Sequence, residues 1–141
     1  MPIICLDTGV LSIYFSKDVT KEVSNLMRKI MQKQVEAHVL KPVFVEVFWH
    51  LCRNHGTDAA KSILLSFLNQ VPIEQVELSL PLIIKAGTIK CQKPSGLSYI
   101  DCMCIAYALN MKVPFHTTEK TLKTIPNLIR RRLNIVEYKF V

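Results

Sequence analysis

The stretch IICLD, from Ile3 to Asp7, is an apolar run of strand length that ends in an acidic residue. Because Gly9 follows two positions later, the run predicts a buried β-strand that ends in a turn. Further strands are predicted at residues 35–41, 71–79, 112–118 and 134–140. Helices are predicted at residues 19–34, 42–54, 80–93 and 98–111. A further helix is predicted to begin at residue 57, and a short helical turn is predicted at 119–125. Strands that alternate with helices predict an α/β fold, in which helices cover both faces of a mostly parallel sheet.

The composition is that of a single folded domain. Half of the 141 residues are hydrophobic, and because no repeat or linker divides the chain we predict one domain over residues 1–141. No segment has the roughly 18 consecutive apolar residues of a membrane span, and the first residues lack the basic region of a signal peptide. The five cysteines are irregularly spaced, and no second pair of ligands matches Cys52 and His55 as a zinc site. We therefore expect a cytoplasmic protein with reduced thiols and no membrane partner.

The chain is basic, with a formal net charge of +7. A basic excess of this size favours an anionic partner such as nucleic acid. The alternative is a soluble domain whose surface is rich in lysine but has no such partner.

Four acidic residues stand at predicted strand ends or in first helical turns on otherwise apolar segments: Asp7, Glu46, Asp101 and Glu119. Glu46 is the extreme case, because apolar residues surround it in KPVFVEVFWHL (41–51) and a buried carboxylate needs a compensating partner. Ligands of parallel sheets bind at the carboxyl ends of the strands. Carboxylates that converge there repel one another, and a divalent cation such as Mg²⁺ or Mn²⁺ removes the repulsion. The four acids therefore predict a metal site.

Each of these acids also has a plainer interpretation. Asp7 would cap a helix or close an Asx turn, and Glu46 would lie exposed on a polar stripe. Asp101 would form a capping box with Ser98. Glu119 would interact with the dipole of a short helix that follows it. The local pattern leaves both interpretations open for each acid.

Four segments, in their order and spacing, resemble the signature segments of PIN-domain proteins: CLDTGVL, FVEVFWHL, LSYIDCMCIAYAL and FHTTEKTLK. The resemblance covers essentially the whole chain. The small size of the chain is similar to that of the toxin subunit of VapBC-type toxin–antitoxin pairs. The resemblance implies a three-layer α/β/α sandwich with a mostly parallel sheet of four or five strands.

The resemblance also implies Mg²⁺- or Mn²⁺-dependent endoribonuclease activity. It assigns the catalytic and metal-binding carboxylates to Asp7, Glu46, Asp101 and Glu119, the last of which departs from the family's usual aspartate. Thr8, Thr117 and Ser98 would orient these ligands or a water molecule. Basic residues near the C-terminus would hold the RNA backbone: Lys120, Lys123, Arg130, Arg131 and Arg132. The alternative for the three arginines is a solvated helix end.

Two protein partners follow from the same resemblance. A small antitoxin would lay a helix across a hydrophobic groove, for which the candidate residues are Leu11, Tyr14, Phe15 and Leu26. A homodimer is also expected.

One other function stays open, and a second is disfavoured. The departure at Glu119 allows a catalytically weakened module of the same fold that binds RNA or protein without cleavage. A haloacid-dehalogenase-like phosphatase would need a second aspartate two residues after the first, where this chain has Gly9.

Overall fold

The first strand lies at the centre of a parallel sheet. In the computed structural model, which describes residues 1–118, 122 and 125–140, the sheet comprises β1 (Ile3–Leu6), β2 (Glu36–Leu40), β3 (Ile73–Val76), β4 (Phe115–Thr117) and β5 (Ile135–Glu137). The strand order is β3-β2-β1-β4-β5, and each neighbouring pair is parallel. The chain extends the sheet in one direction from β1 and in the other from β4. The switch in strand order, where ligands of such sheets bind, therefore lies between β1 and β4.

Helices connect the strands and lie in two groups. They are α1 (Thr8–Tyr14), α2 (Lys21–Met31), α3 (Lys41–His55), α4 (Thr57–Gln70), α5 (Leu80–Gln92), α6 (Tyr99–Met111) and α7 (Asn127–Arg132). Helix α1 packs on α2 and on α3, and α3 packs on α4, whereas α5 packs on α6; both groups contact the sheet. The predicted α/β sandwich with a parallel sheet is confirmed. None of the helices in the described part of the chain is long and apolar enough to cross a membrane.

Two helices differ from the predictions. The segment after β1 is predicted as a turn, but it forms α1. The Asp7 side chain caps this helix by accepting a hydrogen bond from the backbone N–H of Thr8. Helix α7 has no counterpart among the predicted helices; it follows Pro126 and contains the three arginines. Most of the helical turn predicted at 119–125 lies outside the described residues.

The core buries the central elements of the fold on both faces of the sheet. On β1, Cys5 and Leu6 are fully buried, and on β4 so is Phe115, as expected for strands that helices cover on both sides. Helix α6 is buried over most of its surface, and Cys102 and Cys104 are buried as free thiols. Cys5 and Cys102 are thus small residues of the core.

A buried hydrogen bond joins β4 to the chain after β5. The ring nitrogen Nδ1 of His116 lies 2.7 Å from the hydroxyl of Tyr138, and the backbone N–H of Tyr138 donates to the carbonyl of Thr117. Burial lowers the pKa of His116 to about 4 and raises the pKa of Tyr138 to about 12. Both groups are therefore neutral at pH 7, and they hold in place the strand that carries Thr117.

This neutral histidine predicts a loss of folding stability in acid. The unfolded chain binds a proton at His116 near pH 6.5, but the folded chain binds it only near pH 4. The contribution is therefore complete above pH 6.5 and is lost as the pH falls toward 4, by up to about 3 kcal/mol. Urea unfolding of the wild type and of His116→Gln at both ends of this window measures it. The free energy of unfolding should change less with pH in His116→Gln than in the wild type. The control His55→Gln replaces an exposed histidine and should behave as the wild type does. Equal pH dependence in all three proteins would contradict the prediction.

Candidate active site

Three of the four predicted acids line one cavity at the switch in strand order. Its volume is about 250 Å³, and Asp7, Glu46 and Asp101 reach it from the end of β1, from α3 and from the first turn of α6. Thr8 and Ser98 also line it. The sequence prediction that these acids converge is therefore supported for the three that the structure describes.

Asp7 is held on both of its carboxylate oxygens. Its Oδ1 accepts a hydrogen bond from the backbone N–H of Thr8 at 2.6 Å, and its Oδ2 accepts one from the Thr117 hydroxyl at 2.7 Å. The side chains of Asp7 and Thr117 are buried, and the Asp7 backbone N–H donates to the carbonyl of His116. Asp7 is thus the cap of α1 and a cavity-lining carboxylate together, because the end of β1 and the start of α1 meet at this residue.

Asp101 likewise forms part of a helix cap and lines the cavity. Its Oδ2 accepts a hydrogen bond from the backbone N–H of Ser98 at 3.0 Å, and the Ser98 hydroxyl accepts one from the backbone N–H of Asp101 at 3.0 Å. The predicted capping box is confirmed. The same carboxyl group is buried and lines the cavity, so the capping box fixes its position there.

Glu46 lies one turn into α3 and is half-buried. Burial raises its pKa, the negative charge of Asp101 raises it further, and His50 opposes the shift. The interpretation of Glu46 as an exposed glutamate is therefore wrong. Glu46 and Asp101 line the same cavity, and a shared cation would reverse the repulsion between their carboxylates.

His50 and Ser12 were not among the residues predicted from the sequence. Both line the cavity, and the His50 Nδ1 lies 2.9 Å from the Ser12 hydroxyl. A helical spacing of four residues separates His50 from Glu46 and Ser12 from Thr8, and residues at this spacing lie on the same face of a helix. That spacing was the available signal. His50 is also the residue that partly offsets the effect of burial on the Glu46 carboxylate.

Gly9 allows α1 to approach the chain that leaves β4. A Cβ atom on Gly9 would lie 1.8 Å from the Thr118 hydroxyl oxygen and 2.8 Å from the Thr118 Cβ. Both residues line the cavity. The two segments can therefore approach this closely only because residue 9 has no Cβ atom.

Gly9→Ala is expected to lower the free energy of unfolding by about 1–3 kcal/mol, because Thr118 must shift to admit the methyl group. The matched control is Gly87→Ala in α5, where a Cβ would meet no atom within 4 Å. Alanine favours a helix interior, so the control should be neutral or stabilised by about 0.5–1 kcal/mol. Urea unfolding of both variants makes the comparison, and a similar change in the two would contradict the close contact between Gly9 and Thr118.

The oxygen ligands fit a hard divalent cation in their chemistry. Beside the carboxylates, the Thr8 hydroxyl oxygen is buried, and among the described residues it has no hydrogen-bond partner. No three described His, Cys, Asp or Glu side chains come close enough to hold an ion by themselves. Mg²⁺ commonly takes only one or two carboxylates and keeps several water molecules. The cavity therefore suits a hydrated ion rather than one enclosed by protein ligands.

The other predicted site residues are not all near this cavity. Glu119, Lys120 and Lys123 lie outside the described residues. The three arginines at 130–132 are exposed on α7. Arg132 lines a different cavity of about 740 Å³, together with Lys85 and Lys112.

The predicted hydrophobic groove needs a correction. Leu11 and Leu26 are buried in the core and cannot meet a partner. Their apolar helix faces pack within the protein itself. Tyr14 and Phe15 are partly exposed and line a groove of about 670 Å³, where Phe15 packs edge-on against Phe67 at 5.0 Å between ring centroids.

The family profile of the PIN domain matches residues 4–128. Among curated protein sequences there is no significant match.

Solved structures share the fold at low sequence identity. A chain of the VapBC2 complex from Rickettsia felis, bound to a DNA fragment from its promoter, is similar with a TM-score of 0.73 and 18% identity, over 97% of this chain and 99% of that one. A chain of DNA-bound VapBC from Salmonella typhimurium gives 0.71 and 14%, over 97% and 98%. The VapC20 toxin of Mycobacterium tuberculosis, which cleaves the sarcin-ricin loop, gives 0.62 and 14%, over 78% and 84%.

Proposed function

Since the chain belongs to the PIN domain family, we propose that it is a metal-dependent endoribonuclease and the toxin of a toxin–antitoxin pair. The observation that carries the proposal is the convergence of Asp7, Glu46 and Asp101 on one cavity at the switch in strand order. The similarity to VapC20 supports RNA as the substrate class.

PIN domains generally use divalent metal ions. Asp7 and Asp101 would hold Mg²⁺ or Mn²⁺, Glu46 would bind the same ion or its water, and Glu119 would complete an outer site. Such an ion supplies positive charge to the scissile phosphate and lowers the pKa of a bound water.

The chain's own residues prepare these carboxylates. The Thr117 hydroxyl and the Thr8 N–H hold Asp7, and the Ser98 N–H holds Asp101. Hydrogen bonds to a carboxylate favour its charged form, which is the form that binds a cation. Burial raises the pKa of Glu46, and His50 offsets part of that effect.

The charge of the whole chain supports a polyanionic substrate. The net charge is +7, although the cavity itself is lined by acids. Basic residues around it would attract the RNA backbone, and Lys120, Lys123, Arg130, Arg131 and Arg132 are the candidates. The structure places Arg132 beside a separate cavity, so it would contact RNA at a distance from the cleavage site.

Partners and location are proposed on the same basis. Several similar structures are toxin–antitoxin complexes, which supports a small antitoxin as the partner of this chain. Its apolar segment would bind the groove that Tyr14, Phe15 and Phe67 line. We also propose a homodimer in the cytoplasm.

Cleavage of a structured RNA by the purified protein tests the function. We expect cutting with Mn²⁺ and with Mg²⁺, and none with a chelator present, because the carboxylates need the ion to act on a phosphate. Cutting that continues unchanged in the chelator would contradict metal dependence. Absence of cutting by folded protein that binds the metal would favour the alternative, a module of the same fold that binds RNA or protein.

A further inference from the structure

A second cavity adjoins the acidic one. Its volume is about 300 Å³, and Ser12, His50 and Phe140 line both cavities. A ligand that extends from the acidic cavity into the second one therefore passes the His50 and Ser12 side chains. Arg53 and Asn54, at the C-terminal end of α3, line only the second cavity.

The second cavity differs from the first in its charge. None of the described residues that line it is acidic, whereas Arg53 brings a positive charge. The guanidinium carbon of Arg53 lies 4.7 Å from the centroid of the Trp49 ring, which itself lies 5.0 Å from the ring of His50. This stack orients the planar guanidinium at the cavity, since cation–π contacts favour that arrangement.

Two aromatic side chains are exposed at this place. Trp49 is 53% exposed and Phe140 is 60% exposed, although large aromatic side chains usually bury most of their surface. Unpaired nucleobases stack on aromatic rings and on arginine planes, and asparagine offers both a donor and an acceptor to a base edge. Arg53, Asn54 and Phe140 together provide these three kinds of contact around one cavity.

We propose that the second cavity is a nucleotide subsite, which binds the nucleotide next to the scissile phosphate of an unpaired RNA strand. The base stacks against Phe140, Arg53 and Asn54 contact its edge or its phosphate, and Trp49 acts as a positioning residue that holds Arg53. The volume suits one small-molecule-sized group. The inference rests on the proposed nuclease function, since it assigns the neighbouring acidic cavity to the cleaved phosphate.

The chain offers a direct probe of this subsite, because Trp49 is its single tryptophan. In an Asp7→Asn background, which is expected to reduce cleavage by more than about a hundredfold, titration with a short single-stranded oligoribonucleotide should quench the Trp49 fluorescence. The fully paired duplex of the same sequence should quench it less. Arg53→Gln and Phe140→Ala should each weaken binding by about tenfold, the size expected for loss of one stacked base.

Two controls match these substitutions. Arg28→Gln removes an exposed arginine on α2, and Leu65→Ala removes an apolar side chain that is 67% exposed on α4. Both should bind RNA within about twofold of the parent, and circular dichroism checks that every variant is folded. In the cleavage-competent protein, Arg53→Gln should raise KM with little change in kcat, because Arg53 does not touch the reacting atoms.

The outcomes separate this subsite from the nuclease proposal. If the wild type cleaves RNA but Arg53→Gln and Phe140→Ala bind and cleave it as the wild type does, the subsite is wrong and the nuclease function stands. If the Trp49 fluorescence responds to a protein partner but not to RNA, the subsite is also wrong, and the surface binds protein. RNA-dependent quenching that both substitutions weaken, while both controls keep it, supports the subsite in a protein that cleaves RNA; the same result in a protein that cuts no RNA would show an RNA-binding cavity and overturn its assignment beside a scissile phosphate.

Discussion

Asp7→Asn is expected to reduce RNA cleavage by more than about a hundredfold while the protein stays folded. Replacement of a residue that merely orients a metal ligand typically costs 10- to 100-fold, and Asp7 is itself a proposed ligand. Asparagine keeps a carbonyl oxygen that can accept the hydrogen bond from the Thr8 N–H, so the cap of α1 is retained. Single-turnover cleavage with Mn²⁺, together with urea unfolding, measures the two effects separately.

Two variants bracket this result. Asp18→Asn makes the same change in charge at an exposed position and should cleave RNA as the wild type does. Thr117→Val removes the hydroxyl that holds the Asp7 Oδ2 and should lose about 10- to 100-fold. Equal activity of Asp7→Asn and Asp18→Asn would show that Asp7 serves only as a helix cap.

Asp101→Asn is expected to have an effect of similar size, also without unfolding. The asparagine carbonyl can still accept the hydrogen bond from the Ser98 N–H, so the capping box survives in part. The negative charge of Asp101, which lines the same cavity as Glu46, is lost in this variant, and with it the proposed attraction for the cation. The cleavage rate should therefore fall by more than about a hundredfold, with the free energy of unfolding changed by less than about 1 kcal/mol.

Ser98→Ala is expected to affect stability more than cleavage, which is the reverse of the effect expected for Asp101→Asn. It removes the hydroxyl that accepts from the Asp101 N–H and should cost about 0.5–2 kcal/mol of stability, while most of the cleavage activity remains. Asp58→Asn, in the first turn of α4, is the matched control for loss of a charge at a helix N-terminus. If Ser98→Ala loses as much activity as Asp101→Asn, then Asp101 acts through the structure of α6 and not as a ligand.

Much of the fold was predictable from local pattern. Apolar runs of strand length, such as the one that ends at Asp7, mark buried parallel strands, and their alternation with helices determines the α/β class. The start of α1 was not predictable in the same way. An aspartate before a glycine favours a turn and a helix cap equally well, and only the packing of α1 against its neighbours distinguishes the two.

The site was predictable where it depends on strand ends, and less so elsewhere. Asp7 and Asp101 were found because they lie at element boundaries, and their capping roles were found for the same reason. His50 was not predicted, because its relation to Glu46 depends on the four-residue spacing along one helix face and not on adjacent positions in the sequence. Phe140 reaches the cavity from the far end of the chain, and no local pattern predicts such a contact.

The error at Leu11 and Leu26 has a related cause. An apolar position on a helix identifies the buried face but does not distinguish a face covered by the protein from one left for a partner. In this fold α1 packs on α2, α3 and β4, and this packing covers Leu11. Tyr14 and Phe15, near the end of α1, are left partly exposed.

A titration with Mn²⁺ tests the central claim most directly, which is that Asp7 and Asp101 share a divalent cation. Isothermal titration of the folded wild type, Asp7→Asn, Asp101→Asn and the control Asp18→Asn would measure the affinity without any substrate. We predict that the wild type and Asp18→Asn bind Mn²⁺ alike, and that each of the other two variants binds it at least about tenfold more weakly. Equal Mn²⁺ binding by all four proteins, or none by the wild type, would contradict the claim.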